Sequence, residues 1–463
     1  MNILTNTPPT EELQRIDARH HMHPFSANAE FHKTGARVIK SAKGAYLYDN
    51  DGNEFLDAMA GLWCVNIGYG RTELAEVAYR QMQELPFYNT FFKSTHVPVI
   101  ALSEKLASLA PKAMNNVFFA NGGSDANDTN VRMVRHYWAR MGKPTKKTII
   151  SRLNAYHGST MAGASLGGMK PMHAQGGLPI ADIVHINQPA WYAEGGDMDV
   201  AQFGLARAQE LEAKILELGE ENVAAFIGEP VQGAGGVIIP PETYWPEIQR
   251  ICRKYNILLI VDEVICGFGR TANMWGSETF DITGDVMTIA KGLSSGYAPI
   301  GGSIVSDKVA SVLAEDDLAH GYTYSGHPVS CAVALENLRI IEEENLVDHV
   351  QSMSPYLAEK WTALGDHPLV GEARISGFMG ALALTPDKTT RAEFKADKGT
   401  VAIICRDRCY ENGLVMRQVG DQMIISPPLI LEKSDIDKLI DRCGTSLDEC
   451  YKIAGEKGLL EAA

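Results

Sequence analysis

Six short, largely apolar runs constrain the fold of this 463-residue sequence more than any other feature. They lie at 116–120, 148–151, 183–186, 223–227, 257–261 and 286–290, and stretches of helical periodicity separate them, the first running through Val131, Val134 and Trp138. A strand that is apolar on both faces cannot leave one face in water. Such strands belong to a mostly parallel sheet with helices on both faces, so the expected class is α/β.

The C-terminal part has a different character. Ala381–Leu384 and Met423–Ile425 read as short strands. From Ser434 onward, Ile436, Leu439, Ile440, Cys443, Leu447 and Cys450 recur at helical spacing, with Ser434 as the expected N-cap and Asp437 three residues on. Near the start, Gly44–Asn53 carries hairpin turn chemistry. The expected organisation is an N-terminal segment (1–75) serving the smaller domain and an interface, a large α/β domain (76–332), and a small α+β domain (333–463).

Acidic side chains outnumber basic ones, 57 to 42, for a formal charge of −15. That balance argues against general affinity for nucleic acid or anionic membrane. No apolar run is long enough to span a bilayer, and Met1-Asn2-Ile3-Leu4-Thr5 lacks the basic-then-apolar pattern of a secretory signal. The eight cysteines form no CxxC pair and read as small buried apolar residues in a reducing compartment, without metal. The expected location is the cytoplasm.

Ligand chemistry in open α/β sheets collects at the carboxyl ends of the strands. After 116–120 come Asn121-Gly122-Gly123-Ser124-Asp125-Ala126, which open a helix whose free N–H groups can bind phosphate. A plain serine-capped turn explains them equally well. After 148–151, Tyr156 and His157 are either a cover for a planar ring or a packed core. Glu229 follows 223–227 in a glycine-rich loop that contains Ala234, and a buried carboxylate there needs a partner. Asp262 ends a very apolar run, where a carboxylate is costly without a cation or strong donor. A protonated pyridine nitrogen is such a partner, and it makes the ring an electron sink; a helix cap is the alternative. Lys291 ends the next run, where an unpaired ammonium is expensive and desolvation turns the amine into a nucleophile; a snorkelling surface lysine is the alternative. Asp262 and Lys291 on successive strands reinforce each other.

Together, GGSDA (122–126), YHGS (156–159), GEPVQGAGG (228–236), VDEV (261–264) and AKGLSSG (290–296), in this order and with these gaps, resemble the class III aminotransferases of pyridoxal-phosphate (PLP) fold type I. Segments 20–25, 61–66, 87–92 and 415–417 are similar to those of the pyruvate-dependent ω-transaminases. One departure is Gly122-Gly123-Ser124-Asp125, where the family usually has Ser-Gly-Ser-Glu.

The resemblance implies Lys291 as the Schiff-base and proton-carrying lysine, and Asp262 as the partner of the pyridinium nitrogen. It puts Val264 and Tyr156 on the two ring faces, Gly123 and Ser124 at the phosphate, and His157, Glu229 and Tyr322 around them. Thr323 would reach the phosphate of a neighbouring subunit, which implies a homodimer with shared sites. Phe25, Trp63, Phe91, Phe92, Tyr156 and Ala234 would line the substrate pockets, and Arg417 would bind a keto-acid carboxylate. For Trp63, Phe91 and Phe92 an interface core is the alternative, and for Arg417 a surface salt bridge. The implied reaction is a two-step exchange in which a primary amine leaves as a carbonyl and pyruvate leaves as alanine.

Rival readings are another PLP reaction on the same fold, such as an aminomutase or decarboxylase, and a silent PLP-binding dimer. A nicotinamide dehydrogenase is disfavoured by the missing GxGxxG. The donor stays open among diamines, β-alanine, taurine and aryl-alkyl amines, as do stereochemistry and the choice between dimer and tetramer.

Overall fold

The computed structural model describes residues 7–463; residues 1–5, on which the signal-peptide reading rests, lie outside them. A seven-stranded sheet dominates. Its strands in chain order are β1 (Met114–Ala120), β2 (Thr148–Arg152), β3 (Ile183–Ile186), β4 (Val223–Gly228), β5 (Leu258–Asp262), β6 (Val286–Ile289) and β7 (Gly301–Ser306). In space they run β1-β7-β6-β5-β4-β2-β3. Pairing is parallel from β3 to β6, while β7 is antiparallel to both β6 and β1. Every residue of β4, β5, β6 and β7 is buried, as two covered faces require. Six of these strands fall on the expected runs. β7 does not, because its opening Gly301-Gly302-Ser303 hides the apolar pattern.

Two four-stranded sheets lie beside it. One joins Ile39–Lys43, Tyr46–Asp49 and Glu54–Asp57 to Leu414–Val415, with Leu56 opposite Leu414 in parallel pairing. The turn expected near residue 50 forms because the Asp49 carboxylate accepts the N–H of Asp51 at 3.0 Å and of Asn53 at 2.8 Å. The other sheet orders Val370–Ser376, Met379–Leu384, Gln422–Ile425 and Arg417–Val419. The chain steps from the first sheet to the second at Met416, so Arg417 opens an edge strand.

The C-terminal helix spans Lys433–Glu456 and buries Ile436, Leu439, Cys443, Leu447 and Cys450. Its N-cap is Glu432, paired reciprocally with Asp435, and Ser434 lies within the first turn. The cap expected at Ser434 is therefore displaced by two residues, since an acidic pair flanking it satisfies the same free N–H groups. All eight cysteines are free. Among the described residues, no helix is long and apolar enough to cross a membrane.

Candidate active site

The carboxyl ends of β1, β2, β4, β5 and β6 converge on a cavity of about 310 Å³. Gly123, Ser124, Tyr156, His157, Glu229, Asp262, Val264 and Lys291 all line it. Sequence reasoning missed Asn127, Ser294 and Ile300 on the same wall. Asn127 sits one helical turn after Ser124, a signal that could have found it.

Asp262 is 2% exposed and well supplied with donors. Its Oδ2 accepts His157 Nδ1–H at 2.7 Å and Asn127 Nδ2 at 2.9 Å, and its Oδ1 accepts Val264 N–H at 3.1 Å. A carboxylate has about four acceptor sites, so Oδ1 keeps one for a further donor. His157 must carry its hydrogen on Nδ1 to serve an ionised carboxylate.

Lys291 begins a short 3₁₀ turn directly after β6, with a positive φ of 46° that a non-glycine residue adopts only under constraint. Burial pushes its ammonium below the usual lysine value and the charge of Arg417 adds to that, while Asp262 and Glu229 oppose it. Glu229 is likewise buried, and burial pushes its carboxyl up. Its two oxygens accept the N–H groups of Tyr156 at 3.2 Å and Gly233 at 2.9 Å, tying the Tyr156 loop to the glycine loop after β4.

At the other end, the helix Gly123–Arg140 starts at Gly122 without a side-chain cap, leaving its first N–H groups free for an anion. Ser159 N–H donates to Ser124 Oγ at 3.1 Å. Gly158 makes this approach feasible: its φ is +132° and a Cβ there would lie 2.7 Å from Ser124 Cα. The shorter acid of the departing motif, Asp125, turns back on Asn121 and accepts its backbone and side-chain N–H at 3.0 and 2.9 Å.

The remaining candidates do not line this cavity, although Arg417 lies near enough to Lys291 and Tyr156 to act on both electrostatically. Arg417 is half-buried, burial lowers its pKa, and among the described residues its guanidinium has no ion pair or hydrogen-bond partner. That disposes of the surface salt bridge. Trp63 is 1% exposed in a core cluster with Met59, Val231 and the cavity-lining Ile265, and its Nε1–H has no partner among the described residues. Ala234 is buried in the glycine loop. Tyr322 donates to the Asp125 carbonyl at 2.9 Å, so it braces the start of the helix. Thr323 is exposed, as are Phe25 (76%) and Phe92 (92%); Phe91 is half-buried against Gly321. Outside the cavity, Asp17 accepts hydrogen bonds from His21 and His23 at 3.2 and 2.7 Å. These three bring potential metal-ligating atoms within 4.8 Å of one another, and the hydrogen bonds account for the grouping.

Known proteins agree with this geometry. The chain is 56% identical to the putrescine–pyruvate aminotransferase of Pseudomonas aeruginosa, over 97% of this chain and 98% of that one. It is 42% identical to the diaminobutyrate–2-oxoglutarate transaminase of Halomonas elongata, over 92% and 93% of the two chains. The ω-transaminase of Pseudomonas jessenii, solved with PMP, superposes with a TM-score of 0.94 at 43% identity, covering 96% of this chain and 99% of that one. The family model described as aminotransferase class-III matches residues 27–447. The chain belongs to the class-III aminotransferases.

Proposed function

We propose that this aminotransferase holds pyridoxal phosphate in the cavity and moves the terminal amino group of a diamine such as putrescine to pyruvate. The observation that carries the cofactor assignment is the meeting of Asp262 and Lys291, from adjacent strands, in one cavity. A buried carboxylate with a free acceptor site, an amine with lowered proton affinity and an uncapped helix start fit the three polar features of that cofactor. The donor and acceptor follow the relative that is 56% identical.

When bound, the cofactor supplies an electron sink for the carbon that loses a proton. The protein does the rest. Asp262 holds the ring nitrogen's hydrogen, Gly123 and Ser124 take the phosphate, and Tyr156 and Val264 flank the ring. Lys291 Nζ, whose proton affinity burial lowers, accepts the proton from the substrate carbon and returns it. Arg417, without a partner among the described residues, takes the carboxylate of the keto acid.

In this reading two copies complete each other's sites. The support is the exposure of Phe25, Phe92 and Tyr324, large rings that a lone chain leaves in water. The division into 1–75, 76–332 and 333–463 and a cytoplasmic location belong to the same reading, the former supported by the pairing of Leu56 with Leu414.

The test is a visible absorption spectrum of the purified protein with PLP, before and after putrescine and then pyruvate, with alanine assayed in parallel. The expected result is a cofactor band that bleaches with putrescine and returns with pyruvate as alanine forms. A band unmoved by putrescine overturns the donor; no band at all overturns the cofactor.

A further inference from the structure

Behind the cavity lies a row of buried polar side chains that the reaction does not use. Strand register places Asp262 beside Thr288, and Thr288 beside Ser303, on β5, β6 and β7. Residues side by side across neighbouring strands point to the same face. Over that face the helix Gly123–Arg140 lays Asn127 and Asn130, one turn apart. Thr288, Ser303, Asn127 and Asn130 are all fully buried. Four polar side chains in such a position are costly unless each is satisfied.

They are satisfied in one direction. Ser303 Oγ–H donates to Asn130 Oδ1 at 2.6 Å. Asn130 Nδ2 donates to Thr288 Oγ1 at 2.9 Å and to Asn127 Oδ1 at 3.2 Å. Thr288 Oγ1–H then goes to Asn127 Oδ1 at 2.8 Å. With its oxygen held by two donors, Asn127 must turn its amide hydrogens the other way, to Asp262 Oδ2 at 2.9 Å and to the His157 carbonyl at 2.8 Å. A flipped Asn127 would set its carbonyl against the carboxylate and its NH₂ against two donors.

We infer that Ser303, Asn130 and Thr288 are positioning residues. Acting through Asn127, they fix the orientation of the Asp262 carboxylate so that Oδ2 is filled from the protein side and Oδ1 faces the cavity. The inference rests on PLP occupying that cavity. A rigid acceptor holds the ring in one pose; a loosened one lets the carboxylate turn toward its other donors.

Thr288→Val and Thr288→Ser separate this role from simple packing. Valine keeps the shape and removes the hydroxyl, while serine keeps the hydroxyl. The measurements are the PLP dissociation constant of the full-length protein, the visible circular dichroism of the bound cofactor, and the thermal midpoint of the PLP-free protein. T288V is expected to weaken PLP about tenfold and to diminish the dichroic band, and T288S to restore both to within about twofold. A T288V protein that folds, binds PLP as tightly as the native chain and keeps its dichroic band overturns the relay. So does a T288S protein as impaired as T288V. If T288V does not fold, Ser303→Ala, at the far end of the row, takes its place: a PLP dissociation constant raised about threefold supports the relay, and an unchanged one overturns it. Failure of the native protein to bind PLP overturns the proposed function instead.

Discussion

Arg417→Ala tests how, with the proposed diamine donor, one site serves both a keto acid and an amine that carries a second positive charge. The guanidinium is half-buried and, among the described residues, unpaired, so a carboxylate that reaches it displaces no partner there. A hydrogen bond to a charged group is worth about 1.5–3 kcal/mol, and the guanidinium fork makes two. Discounted for partial exposure, the pair contributes about 2–4 kcal/mol, which corresponds to a rise of roughly 30- to 1000-fold in the KM for pyruvate. The diamine gains nothing from Arg417, and its distal ammonium is repelled by it. Its KM should therefore hold or fall in the variant. Initial rates of alanine formation, with pyruvate varied at saturating putrescine and the reverse, give both constants. Equal rises in the two values would refute the reasoning, and so would an unchanged KM for pyruvate.

Other outcomes follow from features already described. Gly158→Ala should abolish or greatly weaken PLP retention, seen as loss of the visible band after gel filtration, because the added Cβ meets Ser124 Cα at 2.7 Å and the φ of +132° suits only glycine. Trp63→Ala should cost about 3–5 kcal/mol in urea unfolding, as expected for deleting a buried ring; a loss under 1 kcal/mol would place Trp63 outside the core. Glu263, fully buried, has its carboxyl raised by burial to about 7, against an ordinary 4.5. The folded chain thus keeps a proton that the unfolded chain releases, and stability from this group falls as pH rises from about 4.5 to about 7, then levels. Glu263→Gln should remove a slope on the order of 3 kcal/mol between urea midpoints at pH 5 and pH 8; an identical slope in both proteins would count against it.

Much of the cavity wall was legible in the sequence because each of its charged members follows an apolar strand, where charge is conspicuous. Asp262 and Lys291 stand out for that reason. The row behind them did not, since Asn127, Asn130, Thr288 and Ser303 look in sequence like an ordinary polar helix face and strand ends. Only the register of β5, β6 and β7, one of them an unanticipated antiparallel strand, brings them together. The cap of the C-terminal helix was misjudged because Glu432, Ser434 and Asp435 can each satisfy a helix start, and side-chain reach chooses among them. Thr323, Phe25 and Phe92 were singled out by resemblance, yet one chain leaves them facing outward.

The strand that links the two ends of the chain has a consequence during synthesis. Leu56, fully buried in the finished protein, takes a parallel partner in Leu414. A ribosome adds roughly 5–20 residues per second, so the early hairpin waits on the order of tens of seconds for the strand that closes its sheet. Over that interval residues 39–57 present an open edge and an uncovered apolar face to the cell. The large sheet can assemble in the meantime, since its seven strands all lie between the two halves of the smaller one. A truncation that falls after β7 is complete but before residue 415 therefore leaves a chain that holds all seven strands of the large sheet and an unpaired edge, the kind of surface on which nascent proteins aggregate or chaperones bind.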